Sequence, residues 1–187
     1  IPVWFQVTTK CDGNNSNSAN PPTGDAAEFA PAGQTQCYGS TTPSVAKVRG
    51  LNPAYLYSFT FYASRIGVAD NRDTRYRVAG ENSGSNVLAT ANNTSQVAVV
   101  PRIRPTAAGE ITITISKGPA NTANAFYILA LKVVGYPAAK TLEIDGSPAP
   151  YGAVVPSYGL HADLENGSNV LCSAPAGTVA VADGIRA

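Results

Sequence analysis

The sequence is short of the residues on which most enzyme and nucleic-acid sites depend. It contains no methionine, one histidine and three cysteines, and 13% of its 187 residues are charged, with 13 Lys and Arg against 12 Asp and Glu. A nucleic-acid site needs a basic stripe with interleaved aromatic residues, so this balance argues against nucleic acid as a partner. A triad hydrolase needs a base beside its nucleophile, and His161 lies in a turn-rich tail without a G-x-S-x-G context.

The sequence also lacks the residue sets that glycosidase, metal and phosphate sites require. Glycosidase chemistry needs two carboxylates across a cleft, and nothing in the sequence marks Glu28, Glu81 or Glu110 as such a pair. The cysteines match no metal-ligand spacing, and a single histidine cannot complete a zinc site. No Gly-rich phosphate cradle follows a strand and opens a helix. We therefore predict a protein that is not an enzyme and has no resident cofactor, with calcium as the one alternative.

Long apolar runs are also absent, and a membrane-spanning helix requires about 20 consecutive apolar residues. The sequence therefore predicts no membrane span. What the chain has instead is 17 glycines and 14 prolines among many Ala, Thr, Ser and Asn residues. This composition is typical of short strands joined by turns and predicts an all-β protein.

Period-2 alternation marks the strands. Tyr55, Tyr57, Phe59 and Phe61 occupy every second position, which predicts a strand with one face in the core. The segment 111–115 alternates with isoleucine in the same way, and 1–9 is an apolar strand carrying the only tryptophan. We predict an exposed loop over 10–24 and a weak strand over 26–29. Short strands at regular spacing predict an antiparallel, jelly-roll-like β-sandwich.

Composition shifts at Gly135, Tyr136 and Pro137, which we take as a domain boundary. The predicted organisation is a β-sandwich over residues 1–136 and a small, partial β-rich repeat over 137–187. The second part is too short to bury a core by itself.

The densest charge follows the aromatic strand, within residues 65–75, and comprises Arg65, Asp70, Arg72, Asp73 and Arg75, with Asn71 among them. One interpretation is structural, with arginine–carboxylate ion pairs and backbone hydrogen bonds that hold a crossover between strands. A second is a calcium site using oxygens of Asp70, Asn71 and Asp73. A third is sugar recognition, with Tyr62 or Tyr76 stacking against a ring. The sequence favours the structural interpretation, because interleaved arginines lower the local affinity for a cation.

The cysteines and the asparagine triplets suggest covalent features of a secreted protein. A Cys11–Cys37 disulfide would close a polar loop that is poorly placed to hold itself by burial, which would be worth about 3 kcal/mol. Cys172 is then free or bonded to another chain. Four N-x-S/T triplets are candidate glycosylation sites, beginning at Asn14, Asn92, Asn93 and Asn166.

The order of several short motifs resembles a β-sandwich module of secreted and cell-surface bacterial proteins. The motifs cover roughly residues 25–134 and are G-L-x-P at 50–53, S-R-x-G-x-x-D-N-R-x-T-x-Y at 64–76, N-x-T/S at 92–94, P-x-x-x-G-x-I-x-I at 105–113 and F-Y-x-L at 126–129. Residues 140–187, with GSPAPYG, VPSYG and SAPAG, are similar to a second short repeat of large bacterial surface proteins.

This resemblance implies a further strand or two before Ile1 and another strand after Ala187. We therefore expect strands of neighbouring subunits to complete the sheets. Open sheet edges are templates for strand addition between chains. We therefore expect a non-catalytic extracellular structural or assembly module, a surface or filament subunit that associates with itself or with neighbouring surface-protein repeats. The alternative is a carbohydrate-binding accessory module of a secreted enzyme, with a polysaccharide as partner.

Overall fold

The computed structural model describes residues 2–16, 21–32 and 35–137, together with five short strands farther along the chain. The chain divides into two compact units, residues 1–135 and 136–187. The boundary predicted after residue 136 lies one residue from this division. None of the described helices is long and apolar enough to cross a membrane.

The described residues up to 137 form eleven strands and one short 3-10 helix, Gly24–Ala32. The strands are β1 (Trp4–Thr9), β2 (Gly13–Ser16), β3 (Thr35–Gly39), β4 (Ser44–Arg49), β5 (Tyr55–Tyr62), β6 (Asp73–Ala79), β7 (Ser83–Ala89), β8 (Ala98–Ile103), β9 (Ile111–Lys117), β10 (Phe126–Ile128) and β11 (Ala130–Pro137). In the second unit, β12 (Leu142–Ile144) pairs with β14 (Gly159–His161) and β16 (Ile185–Arg186), and β13 (Val154–Val155) pairs with β15 (Leu171–Cys172).

The sheets confirm the predicted fold class, an all-β, jelly-roll-like antiparallel sandwich. One sheet has five strands in the order β1-β4-β9-β6-β7. Two three-stranded sheets, β11-β5-β8 and β10-β3-β2, complete this unit. β1 and β7 are therefore the two edges of the five-stranded sheet, and the strands between them carry most of its core side chains.

The core lies where the aromatic strand β5 packs on the five-stranded sheet. Phe59 and Phe61 are fully buried and Tyr57 nearly so, which confirms the strand and core face predicted from their alternation. The Phe61 ring stacks on Tyr76 of β6 at 4.4 Å between centroids. Burial of such side chains is worth about 1.5–3 kcal/mol each, and this is the main stabilisation of the fold.

The weak strand predicted over 26–29 is wrong, because this segment belongs to the 3-10 helix. Gly24 has φ of +52°, and the Ala26 amide donates back to the Thr23 carbonyl at 3.0 Å, which starts a helical turn. Phe29 then stacks on Tyr62, so the helix covers the second face of β5. This small second core explains why the alternation of β5 does not leave its other face polar throughout.

The loop predicted over 10–24 is also partly wrong. Residues 13–16 form β2, which pairs antiparallel with β3, with Asn14 opposite Cys37. The Asp12 amide donates to the Tyr38 carbonyl at 2.9 Å, which extends this pairing toward β1. A polar strand of four residues has too little alternation to be recognised in sequence, and it forms because its partner is supplied from elsewhere.

Candidate functional site

Arg72 is the centre of the charged segment that follows β5. Its Nε lies 2.7 Å from Asp70 Oδ1, and its second terminal nitrogen donates to Asp70 Oδ2 at 3.0 Å, a bidentate pair. Its other terminal nitrogen donates to the Tyr127 hydroxyl, and its guanidinium lies 5.8 Å from that ring's centroid. The Arg72 side chain is 19% exposed. This arginine therefore joins the crossover before β6 to β10.

The other residues of the charged segment have separate partners. Asn71 Oδ1 accepts a hydrogen bond from the Asp73 amide at 2.9 Å, which closes the turn into β6. A terminal nitrogen of Arg65 donates to the Ser16 carbonyl at 3.3 Å, and Arg75 is exposed on β6. Six residues of this segment were predicted to form a network of ion pairs and hydrogen bonds. The ion pair that the structure describes among them joins Arg72 to Asp70. The segment stays, as predicted, a candidate structural brace.

Motifs that are distant in sequence contact one another around this segment. Asn92 Oδ1 accepts a hydrogen bond from the Gly67 amide at 2.8 Å, linking the N-x-T turn to S-R-x-G. Gly109 has φ of +70°, and a Cβ there would lie 2.4 Å from the Leu51 carbonyl oxygen. The Leu51 amide donates to the Gly109 carbonyl at 3.0 Å, so the G-L-x-P and P-x-x-x-G turns pack directly against each other. The motifs thus hold the loops of the sandwich together.

The geometry offers little to a cation at Asp70 and Asp73. Both carboxylate oxygens of Asp70 bind Arg72, whose hydrogen bond holds the pKa of Asp70 below its ordinary value. Within the described residues, no group of three or more His, Cys, Asp or Glu side chains is placed to hold a metal ion. The calcium alternative therefore gains no ligand set from this part of the chain.

Tyr62 and Tyr76, predicted to stack against a sugar, are buried instead, with 2% and 0% of their surface exposed. The Tyr76 hydroxyl donates to the Tyr127 carbonyl at 2.7 Å, and burial raises the pKa of this phenol. Desolvation raises the pKa of Tyr62 as well. Tyr76 occupies a core position that follows from the alternation of β6, whereas Tyr62 lies on the second face of β5 and is covered by Phe29 of the 3-10 helix. Neither ring therefore offers a face to a ligand in solution.

The predicted disulfide is confirmed, with Cys11 and Cys37 bonded and their Cα atoms 6.0 Å apart. It ties the end of β1 to β3. Of the candidate glycosylation sites, Asn14 is exposed on β2. Asn92 donates its amide to the Val68 carbonyl at 2.7 Å, and the Asn93 side chain is buried. Asn166 lies outside the described residues.

The edge strand β1 exposes large apolar side chains on both of its faces. Paired residues of antiparallel strands point to the same side, so Trp4, opposite Arg49, lies on the outer face, and Phe5, opposite Val48, lies on the core side. The exposed fractions are 62% for Val3, 59% for Trp4, 57% for Phe5 and 58% for Val7. Four large apolar residues within positions 3–7 are therefore more than half exposed.

The opposite edge, β7, is mostly exposed and is tied to the region of β8 by side-chain hydrogen bonds. Asn86 Nδ2 donates to the Val99 carbonyl of β8 at 3.0 Å. Asn82 Nδ2 donates to the Arg102 carbonyl at 2.8 Å, and its Oδ1 accepts from the Arg104 amide at 2.7 Å. Side-chain amides thus join β7 to β8 across the sandwich.

The outer face of the five-stranded sheet is polar. Lys47 and Arg49 project from β4 and bind Glu110 at 2.6 Å and 2.8 Å, and Arg75 and Arg77 project from β6. The hydrogen bond from Lys47 is the main reason that the pKa of Glu110 is lowered. Lys47, Arg49 and Arg77 belong to none of the sites predicted from sequence. Their alternation with core residues could nevertheless have assigned Lys47 and Arg49 to one face of β4, and Arg77 to one face of β6.

No family model and no curated protein matches this chain. Among solved structures it is similar to TmCBM61, described in complex with beta-1,4-galactotriose, at 16% identity and a TM-score of 0.42, covering 71% of this chain and 88% of that one. It is also similar to CpGH89CBM32-5 from Clostridium perfringens, described in complex with GalNAc-beta-1,3-galactose. That similarity has 14% identity and a TM-score of 0.34, covering 70% of this chain and 94% of the other.

Proposed function

We propose that this chain is a non-catalytic extracellular assembly module, and that the β1 edge of its five-stranded sheet binds a strand of a second copy. The observation that carries this proposal is the exposure of Trp4, Phe5 and Val7 on both faces of β1. A sheet edge presents unpaired backbone N–H and C=O groups, and proteins that stay monomeric protect such edges with charges, proline, bulges or cover. β1 carries no charged residue.

Energetics support pairing at this edge. Full burial of a Val, Phe or similar side chain is worth about 1.5–3 kcal/mol. Since Trp4, Phe5 and Val7 are more than half exposed, covering each would contribute roughly 1 kcal/mol or more, in addition to the new backbone hydrogen bonds. A strand laid along β1 can cover side chains on both faces, whereas a surface packed on one face would leave the other in water.

The Cys11–Cys37 disulfide supports an extracellular site of action. Disulfides persist in oxidising compartments and are rare in the cytosol. In this chain the bond fixes the segment directly after β1 to β3, so the edge is held in place while its side chains stay exposed.

Sedimentation velocity over a range of concentrations tests the assembly proposal. The parent chain should show sedimentation coefficients that rise with concentration, and the Phe5→Lys, Val7→Lys double variant should stay monomeric, because edge charges block strand pairing. A matched control is Val99→Lys with Val133→Lys, which places the same charge at two other exposed valines. A parent that is monomeric throughout, or a control that loses association equally, would contradict the proposal.

A second candidate function is carbohydrate binding, the property named in the descriptions of both solved structures above. The observation in this chain that favours it is the exposed indole of Trp4, which lies on the polar outer face opposite Arg49. An exposed aromatic ring beside hydrogen-bonding groups suits a sugar ring.

A glycan array followed by titration calorimetry tests this second candidate. Trp4→Ala should abolish binding, whereas Phe5→Ala should retain it, because Phe5 lies on the other side of the same strand. Equal loss in both variants would indicate an effect of self-association and would count against a sugar site at Trp4.

A further inference from the structure

We infer that the outer face of the five-stranded sheet binds an acidic polysaccharide, an inference that rests on the second candidate function and names its ligand class. The face is defined by Lys47 and Arg49 on β4, Arg75 and Arg77 on β6, and the hydroxyl row of Thr112, Thr114 and Ser116 on β9 between them. The exposed charge of this face is mostly positive.

The charge balance of the face is uneven, although that of the chain is not. The four cations share this side of the sheet with two carboxylates, Glu110 and Asp73. Glu110 is already bound by Lys47 and Arg49. Across the described part of the chain, Arg75 and Arg77 have no ion pair, and the guanidinium of Arg77 contacts Ser83 Oγ at 3.5 Å. Two arginines are therefore available to an external anion.

The geometry suits an extended chain that crosses the strands. Neighbouring strands lie about 4.8 Å apart, so the cations on β4 and β6 are separated by about 10 Å with β9 between them. Arg77 and Thr114 are direct partners across β6 and β9, as are Lys47 and Thr112 across β4 and β9. Arg75 is likewise the partner of Ser116, so three of the four cations lie beside a hydroxyl at the same level of the sheet.

This arrangement matches a ligand that carries both carboxylates and hydroxyls. Arginine binds carboxylate and sulfate groups through paired N–H donors, and threonine hydroxyls both donate to and accept from sugar hydroxyls. A neutral glycan would leave Arg75 and Arg77 unused. A single-stranded nucleic acid would require stacking surfaces among the cations, and Trp4 at the margin is the one exposed ring on this face in the described residues.

The test measures binding of the full chain to polygalacturonate, to its fully methyl-esterified form and to a DNA duplex, at low and high salt. We expect binding to polygalacturonate that weakens with salt, and a loss of roughly tenfold or more in Arg75→Gln with Arg77→Gln. Arg75→Lys with Arg77→Lys should recover only part of it, because lysine lacks the bidentate fork. The matched control is Arg104→Gln with Lys132→Gln, which removes the same charge from two exposed ion pairs elsewhere and should bind like the parent.

The outcomes separate the two proposals. Equal binding to the esterified and acidic polymers would overturn the acidic ligand and leave carbohydrate binding standing. Binding to neither polymer would overturn the acidic ligand, and carbohydrate binding itself would then be decided by the glycan array. Equal binding to the DNA duplex, or equal loss in the Arg104 and Lys132 control, would show non-specific attraction to positive charge and would also overturn the inference.

Discussion

The two edges of the five-stranded sheet differ in how they are protected. β7 has the sequence SGSNVLA, and Asn86 joins it to β8 by one hydrogen bond. Asn82, directly before β7, makes two more, to Arg102 in β8 and to Arg104 directly after it. β1 has the sequence WFQVTT, pairs on one side with β4 and exposes apolar side chains on both faces. One edge is thus polar and tied to a neighbouring strand by side-chain amides, and the other exposes apolar side chains on both faces.

A second contrast, between β1 and β5, shows why burial matters more than pattern. Both strands carry large apolar side chains, yet Phe59 and Phe61 of β5 are fully buried while Phe5 of β1 is 57% exposed. The five-stranded sheet and the 3-10 helix cover β5 from its two sides. β1 has no such cover in the described part of the chain, so its apolar residues contribute less to folding than those of β5.

The largest effect that would sharpen this contrast is a core truncation. Phe59→Ala should lower the free energy of unfolding by about 3–5 kcal/mol, because it leaves a cavity among fully buried side chains. Phe5→Ala should change it by less than about 0.5 kcal/mol when measured on the monomer. Urea unfolding at low protein concentration checks both, and equal losses would show that β1 is as much a part of the core as β5.

The next effect concerns the disulfide that fixes the chain after β1. Cys11→Ser with Cys37→Ser should cost about 3 kcal/mol, because the unfolded chain regains the freedom of a loop closed over 26 residues. Thermal unfolding with and without reductant checks this: the parent should lose stability in reductant, and the variant should not. A parent that is insensitive to reductant would show that β2 and β3 hold the segment without the bond.

The charged segment after β5 should behave as a part of the folded unit. Arg72→Gln should cost about 1–3 kcal/mol, since it removes the contacts to Asp70 and the buried Tyr127 hydroxyl. Arg75 is exposed on the outer face of β6, so Arg75→Gln should change the free energy of unfolding by less than about 0.5 kcal/mol. Chemical denaturation checks the pair, and a large loss at Arg75 would contradict the assignment of the brace to Arg72.

Opening the protected edge should have a smaller effect. Asn82→Ala with Asn86→Ala should cost about 1–2 kcal/mol, because three exposed side-chain hydrogen bonds from β7 and the residue before it to segment 99–104 are lost. Ser85→Ala on the same strand is the control. Differential scanning fluorimetry checks the order of the melting temperatures, and a double variant as stable as the control would mean that these amides do not hold the edge.

The smallest effect is on acid stability. The pKa of Asp70 is lowered in the folded chain by its hydrogen bond to Arg72, so this carboxylate stabilises the fold above its ordinary pKa of about 3.9. That contribution is lost as the pH falls through the lowered value. The parent should therefore lose stability more steeply below about pH 4 than Asp70→Asn does. Parallel acid curves for the two proteins would contradict this role.

Much of the sandwich could be predicted from sequence because its strands follow simple alternation. Tyr57, Phe59 and Phe61, and the isoleucines of 111–115, occupy the core positions that their spacing predicts. The disulfide was predictable because a polar loop flanked by cysteines gains most from closure. These features depend on local pattern alone.

Other features could not be predicted because they depend on contacts between distant segments. At the start of the 3-10 helix the Ala26 amide also donates to the Ser95 carbonyl, at 3.1 Å. Because Ser95 is distant in sequence, no local pattern near residue 26 predicts this contact. The burial of Tyr62 follows from that helix. The cluster of cations on the outer face could not be predicted, because it depends on a strand order that places β4 and β6 on either side of β9.

Amide hydrogen exchange of β1 and β7, measured at low and high protein concentration, tests the central claim most directly. If a second copy pairs with the open edge, protection of the β1 amides should increase with concentration, while that of β7, where no second copy is proposed to pair, should stay constant. Protection in β1 that is independent of concentration, or an increase confined to other strands, would contradict an assembly edge at β1.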